Sequence, residues 1–241
     1  MAIYTSKTRI DLEDVGYSNK ITNKAILKIL ENAGARQSET IHFGLNDMEN
    51  VGFSWILLGW KVKILKRPIY NEELTINTWG RDSNRIFTYR DYEIYDESGE
   101  LCTIATSKWA IVDINTGKLR ELTPEIIEKY QCETKKVFEE DYTLKLKEPV
   151  TITRKQEYKA QRRDIDINKH IHNLYYLDYA YEVLPEEVYE APECNNIEIM
   201  YKKQIRLNDE FKCLYTKEEN QNIVTMKSED ENTLHAIIKL Y

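Results

Sequence analysis

Asp14-Val15-Gly16-Tyr17-Ser18-Asn19-Lys20-Ile21-Thr22-Asn23 and Asp164-Ile165-Asp166-Ile167-Asn168-Lys169-His170-Ile171-His172-Asn173 lie 150 positions apart in a chain of 241 residues. The two stretches share their first Asp, the β-branched residue after it, a later Ile and the final Asn. Each runs into a segment with helical character. After the first, Ile21, Ala25, Ile26, Ile29, Leu30 and Ala33 form an i, i+4, i+5, i+8 stripe, with Gly34 as the expected C-cap. After the second, a helix is expected from about His172 to Leu184, ended by Pro185.

Strand-like runs follow both helices. In the first half they are Val51 to Leu65, Glu73 to Trp79, Arg85 to Tyr95 and Leu101 to Ile114, punctuated by Pro68, Asp82-Ser83-Asn84, Glu97-Ser98-Gly99 and Asn115-Thr116-Gly117. Pro124 in a first turn capped by Thr123 predicts a short helix from Glu125 to Tyr130. In the second half a strand near Ile152 to Arg162 precedes the helix. The later runs are Asn196 to Ile205, Glu210 to Thr216, Asn222 to Lys227 and Thr233 to Leu240. Strand, helix and four strands, present twice, read as an α+β double hotdog: two tandem repeats, each a helix wrapped by a curved antiparallel sheet. The first repeat is expected over 1–130, a polar connection over 131–150 and the second repeat over 151–241. With one sheet face covered, the strands should alternate apolar and polar residues.

Composition limits the partners. A content of 41% hydrophobic and 31% charged residues describes a globular chain with enough length for a sizeable core. The net charge of −7 argues against a surface built wholly to hold nucleic acid, although local basic patches remain possible. Seventeen Tyr suit half-buried strands. Cys102, Cys132, Cys194 and Cys213 lack C-x-x-C pairing and zinc-like His spacing, so no metal and no cofactor is expected. Reduced thiols, an N-terminus without an apolar leader and no apolar run of ~20 residues predict a cytoplasmic protein that does not enter the membrane.

The densest reactive chemistry lies in Arg162-Arg163-Asp164-Ile165-Asp166-Ile167-Asn168-Lys169-His170-Ile171-His172-Asn173. Asp166, Asn168 and His170 alternate along an extended segment and can project to one side. His170 can serve as general base or acid near pH 7, and Asp166 can orient it or accept a proton itself. The expected helix start would leave the N–H groups of Ile171, His172 and Asn173 unpaired, able to hold an oxyanion. Asp and Asn are also ordinary turn and cap residues. The first repeat, however, carries Gly16, Ser18 and Lys20 at these positions. One polar and one blank copy suggest an active site kept in a single repeat.

The same stretch resembles the R-x-D-x-D-x-N-x-H-x-x-N signature of the acyl-[acyl carrier protein] thioesterases of plants and bacteria. Ala105-Thr106-Ser107-Lys108-Trp109 is similar to that family's A-T-S-x-W strand, and Gly59-Trp60-Lys61-Val62 adds a weaker match. The resemblance runs over most of the chain. It implies a double hotdog that hydrolyses the thioester joining a fatty acyl chain to phosphopantetheine, releasing the free fatty acid and ending elongation. Carried over by motif position, Asp166, Asn168 and His170 would be catalytic. Where the family has Y-R-R-E-C, this chain reads Tyr201-Lys202-Lys203-Gln204-Ile205. Gln204 can hold a water but cannot take its proton, and Ile205 cannot act as a nucleophile.

Direct attack by water is therefore the expected mechanism, with Asp166 or His170 as base and Asn168 positioning water or substrate. Phe53, Trp55 and Leu57, with Val51 and Gly59, are candidates to line an acyl pocket. The implied partner, acyl carrier protein, is acidic as a class. Arg162, Arg163, Lys202 and Lys203 are the expected docking residues, with Arg206, Lys61, Lys63, Lys66 and Arg67 as further candidates. The expected assembly is a monomer or homodimer. A hotdog acyl-CoA thioesterase and a non-catalytic acyl-binding module are the alternatives. A hotdog dehydratase fits less well, because no His-x-x-x-x-Pro-Gly neighbourhood surrounds His170.

Overall fold

Tyr4–Arg9 opens the chain as a strand, β1, whose side chains alternate between half-buried and exposed. The computed structural model describes residues 3–81, 83–140, 145–189 and 194–241. These fall into two units, 1–142 and 143–241.

In the first unit β1 leads to helix α1 (Asn23–Thr40), a short helix α2 (Met48–Val51), and strands β2 (Phe53–Ile64), β3 (Glu73–Gly80), β4 (Thr88–Tyr95) and β5 (Leu101–Asp113). A two-residue strand β6 (Leu119–Arg120) and helix α3 (Pro124–Tyr130) complete it. The strands pair antiparallel in the order β1-β3-β4-β5-β2, with β6 on β5. The second unit holds β7 (Arg154–Lys159), α4 (Tyr175–Val183), a short α5 (Glu186–Tyr189), β8 (Asn196–Tyr201), β9 (Glu210–Glu218), β10 (Gln221–Ser228) and β11 (Leu234–Leu240). Its antiparallel order is β7-β9-β10-β11-β8, the same path. β1 and β7 even keep the offset of 150 at both ends.

Thr22 starts α1, its Oγ1 accepting the Ala25 N–H at 3.1 Å. The apolar stripe is buried as the spacing requires, with Leu27 and Leu30 fully enclosed. Each such side chain contributes about 1.5–3 kcal/mol by leaving water. The helix does not end at Gly34, however, and continues to Thr40. Gly34 is needed for close approach instead, because a Cβ there would lie 2.9 Å from Tyr92 Oη and 3.2 Å from Arg90 Cδ.

A bulge between Leu57 and Gly59 in β2 shifts the inward-facing parity. Beyond it Trp60, Val62 and Ile64 are the buried positions, so Gly59 does not continue the Phe53, Trp55, Leu57 face.

The expected alternation fails in the central strands, where Arg90 to Ile94 of β4 and Ile223 to Met226 of β10 are buried without a break. Their second faces are covered by chain read from sequence as a connection. In the first unit Lys135 O accepts the Trp79 Nε1–H at 2.9 Å, and the Val137 N–H donates to Asp91 Oδ2 at 3.1 Å. In the second, Leu146 packs against Met200, Ile223 and Ile237. A polar segment therefore serves as a cover for apolar strands by contributing a few side chains and its backbone. Among the described residues no helix is long and apolar enough to cross a membrane.

Replacing Gly34 with Val should destabilise the first unit by about 1–3 kcal/mol, the usual cost of overpacking. A denaturant midpoint unchanged from wild type would show that Tyr92 and Arg90 move aside freely.

Candidate active site

The candidate loop is built from backbone. Arg162–Asp164 forms a 3-10 turn, in which Asp164 Oδ2 accepts the Gln161 N–H at 2.8 Å and the Asp164 N–H returns to Gln161 O at 3.1 Å. Ile165 and Ile171 then pair as an antiparallel bridge. Between them the chain reverses: the Asp166 N–H reaches His170 O at 2.9 Å, and the Lys169 N–H reaches Asp166 O at 3.0 Å. Lys169 sits at φ 65°, the left-handed turn conformation. The Ile171 N–H donates to Ile205 O at 2.8 Å, and His170 faces Arg206 across a further bridge.

The first repeat closes the same loop. Gly16 N–H to Lys20 O is 3.0 Å, Asn19 N–H to Gly16 O is 2.9 Å, and Ile21 N–H to Pro68 O is 3.0 Å, with Asn19 at φ 61°. That loop forms without any acid, amide or imidazole at the three positions. In the second repeat Asp166 Oδ1 accepts the N–H groups of Asn168 (2.8 Å) and His170 (3.3 Å), while Asn168 Nδ2 reaches Asp166 Oδ2 at 3.4 Å. Only the last of these bonds joins two side chains; the other two tie the Asp166 carboxylate to the loop backbone, on a turn that the first repeat closes without them.

His170 is half-buried, and burial pushes its pKa below the ordinary histidine value of 6.5; Asp166 pulls it back in part and Arg206 adds to the depression. Its imidazole is thus mainly neutral at pH 7 and able to accept a proton. Among the described residues no hydrogen bond occupies that ring. Gln204 is exposed on the turn after β8, immediately before the Ile205 carbonyl that holds Ile171. Arg162, Arg163, Lys202, Lys203 and Arg206 are exposed on the same turns.

Other expected roles change. Helix α4 starts at Tyr175 rather than His172. The Ile171 N–H is spent on Ile205 O and the His172 N–H on Asp164 O at 2.8 Å, so neither is available to an oxyanion. His172 stands at the position of Thr22 but does not cap a helix; its Nδ1 accepts the Leu174 N–H at 3.3 Å, ahead of the first turn of α4. Among the described acceptors none takes the Asn173 N–H. Phe53 and Trp55 belong to the first unit, where Phe53 packs with Phe43, Ile111, Leu122, Ile126 and Tyr130, and Trp55 meets Tyr130 edge to face at 5.6 Å. Leu57 is buried on the same strand.

The motif reading gives Asp164 no role of its own. It is buried and accepts the Tyr179 hydroxyl at 2.6 Å, which ties α4 to the candidate loop. Its presence in both repeats was the available signal. Among the described residues no group of three or more His, Cys, Asp or Glu is placed to hold a metal.

Two hotdog units with one reactive loop define the class: a double-hotdog protein whose polar site sits before the helix of its second repeat. Family models of the acyl-ACP thioesterase N-terminal and C-terminal domains match residues 1–130 and 147–239, and the chain belongs to the acyl-ACP thioesterase family. Oleoyl-acyl carrier protein thioesterase 2, chloroplastic, of Arabidopsis thaliana is 25% identical over 238 residues, covering 92% of this chain and 65% of the relative. This chain thus spans just under two thirds of that relative's length. An acyl-ACP thioesterase from Bacteroides thetaiotaomicron has a similar fold, with a TM-score of 0.86, 23% identity, and coverage of 99% of this chain and 97% of that one. The 12:0-ACP thioesterase from Umbellularia californica aligns with a TM-score of 0.84 at 17% identity, covering 100% and 96%.

Giving the second loop the residues of the first, Asp166→Gly with Asn168→Ser and His170→Lys, should change stability by only about 1–2 kcal/mol, the worth of one or two side-chain hydrogen bonds. Thermal unfolding checks this. Collapse of the second unit would mean that the polar set is there to build the turn.

Proposed function

We propose that this chain hydrolyses the thioester between a fatty acyl group and the phosphopantetheine of acyl carrier protein, releasing the free fatty acid. One observation carries the reading: the second repeat places Asp166, Asn168 and His170 on a turn that the first repeat builds from Gly16, Ser18 and Lys20. Family membership gives the substrate class.

His170 is the base, since its ring is neutral and unoccupied, whereas Asp166 Oδ1 already holds two N–H groups. It takes a proton from water as the water oxygen bonds to the thioester carbonyl carbon. Asn168 orients that water. The Asn173 N–H and the Gln204 amide are donors for the resulting oxyanion. Collapse breaks the C–S bond and expels a thiolate, which recovers the proton from His170. A thiolate leaves with little acid assistance, so Gln204 in place of a carboxylic acid is tolerable.

The acidic carrier docks on Arg162, Arg163, Lys202 and Lys203, whose charges are exposed around the loop in a chain that is −7 overall. Among the described residues the four cysteines form no disulfide, which suits a reducing cytoplasm.

His170→Ala, Asn168→Ala and Asp166→Asn should each lower kcat by about 10²–10⁴-fold in an acyl-carrier-protein hydrolysis assay. Near wild-type turnover in all three would sink the assignment. The acid limb of kcat/KM should lie below the ordinary histidine value of 6.5, because protonation removes the base; activity that persists undiminished far into the acid range would take that role from His170. Lys202→Glu should raise KM for the carrier substrate while sparing a small thioester. Equal effects on both would place docking elsewhere.

A further inference from the structure

Subtracting one repeat from the other isolates polar groups that the fold does without. The turn after β2 is held by Leu65 and Lys66 N–H groups on Cys102 O, at 2.7 and 3.1 Å. The turn after β8 is held by Lys202 and Lys203 N–H groups on His235 O, at 2.8 and 3.4 Å. Together with the Ile21–Pro68 and Ile171–Ile205 bonds, this register pairs Ile26 with Tyr176, Ile64 with Tyr201, Pro68 with Ile205 and Cys102 with His235. Ile26, Ile64 and Cys102 are all buried apolar side chains. The second repeat puts hydroxyls and an imidazole in their places.

Each of these groups faces the backbone that frames the reactive loop. The Tyr201 hydroxyl donates to Asn173 O at 3.1 Å. His235 Nδ1 meets Lys203 O at 2.8 Å, which makes Nδ1 the donor. The Tyr176 hydroxyl lies within electrostatic reach of the Ile205 backbone N–H, where the first repeat has a proline without an N–H opposite an isoleucine. Tyr176 and Tyr201 also pack edge to face, with ring centroids 5.3 Å apart. Tyr176 and His235 are buried and Tyr201 is half-buried, so each polar group depends on a backbone partner that an apolar set would not need.

We infer that Tyr176, Tyr201 and His235 are positioning residues for the reaction: together they fix Asn173 at the loop's exit and the 203–205 turn that carries Gln204 and receives the Ile171 N–H. This rests on the reading of Asp166, Asn168 and His170 as the active site. None of the three touches substrate in this role. Each acts through the backbone it holds, and small misplacements of reacting groups are expensive in rate.

The test uses the full chain, acyl-carrier-protein hydrolysis and thermal unfolding. His235→Cys installs the residue that the first repeat uses, and His235→Asn keeps an N–H donor near the place of Nδ1. The expected result is a kcat about tenfold or more below wild type for the Cys variant with KM unchanged, and recovery of most of that loss in the Asn variant. Tyr201→Phe and Tyr176→Phe, which remove only a hydroxyl, should each lower kcat severalfold at nearly unchanged Tm. Wild-type kcat in the Cys variant, or a Cys variant as active as the Asn variant, would overturn the role of His235. Wild-type kcat in both Phe variants would overturn that of the tyrosines. If the Cys variant does not fold, the Phe variants decide. His170→Ala, assayed in parallel, separates the two claims: full activity there removes the active-site reading itself, whereas an inactive His170→Ala beside a fully active His235→Cys removes only this inference.

Discussion

The hydrogen bond from the Ile171 N–H to the Ile205 carbonyl, at 2.8 Å, is the constraint on which the rest of the site depends. It ties the segment that leads towards α4 to the turn that leaves β8, and its counterpart joins Ile21 to Pro68 in the first repeat. A backbone bond of this kind is indifferent to the side chains between its anchors. Residues 166 to 170 are therefore held in shape whatever they carry, so one repeat could stay blank while the other became reactive. The same bond excludes Ile171 as an oxyanion donor, because an N–H pointed at one carbonyl is not available to a second.

Around that constraint the second unit carries polar side chains at positions where the first repeat is apolar or blank. Burial favours the neutral form of His170, and Asp166 Oδ1 accepts the Asn168 and His170 N–H groups. Behind the loop, Tyr176, Tyr201 and His235 replace the Ile26, Ile64 and Cys102 that satisfy the fold elsewhere. The first unit buries polar groups at other positions, among them Arg90, which meets Gln37 and Thr78 and lies over the Tyr130 ring, beside the helix glycine that makes room for it.

Much of this was legible in local pattern. The offset of 150, the strand runs between turn residues and the Thr123-Pro124 helix start were readable because each depends on near neighbours in sequence. The misreadings share a cause: they depended on contacts with chain far away. Gly34 looks like a helix end until Tyr92 and Arg90 approach it. The parity change at Leu57 is set by pairing with β5, not by composition. The polar stretch after residue 130 became a cover for the sheet because Trp79, Asp91 and Met200 sit beneath it. Helix α4 starts only at Tyr175, although the His172 N–H meets Asp164 O just as the Thr22 N–H meets Asp14 O at the start of α1.

The sequence by itself determined the duplicated architecture and the identity of Asp166, Asn168 and His170, since repetition and motif spacing are properties of one dimension. Only the tertiary structure decided which N–H groups remain available, how burial sets the charge of His170, and that His235, thirty-odd positions beyond the Gln204 turn, reaches its backbone. Those facts belong to hydrogen-bond partners and desolvation, which exist only once distant segments have met.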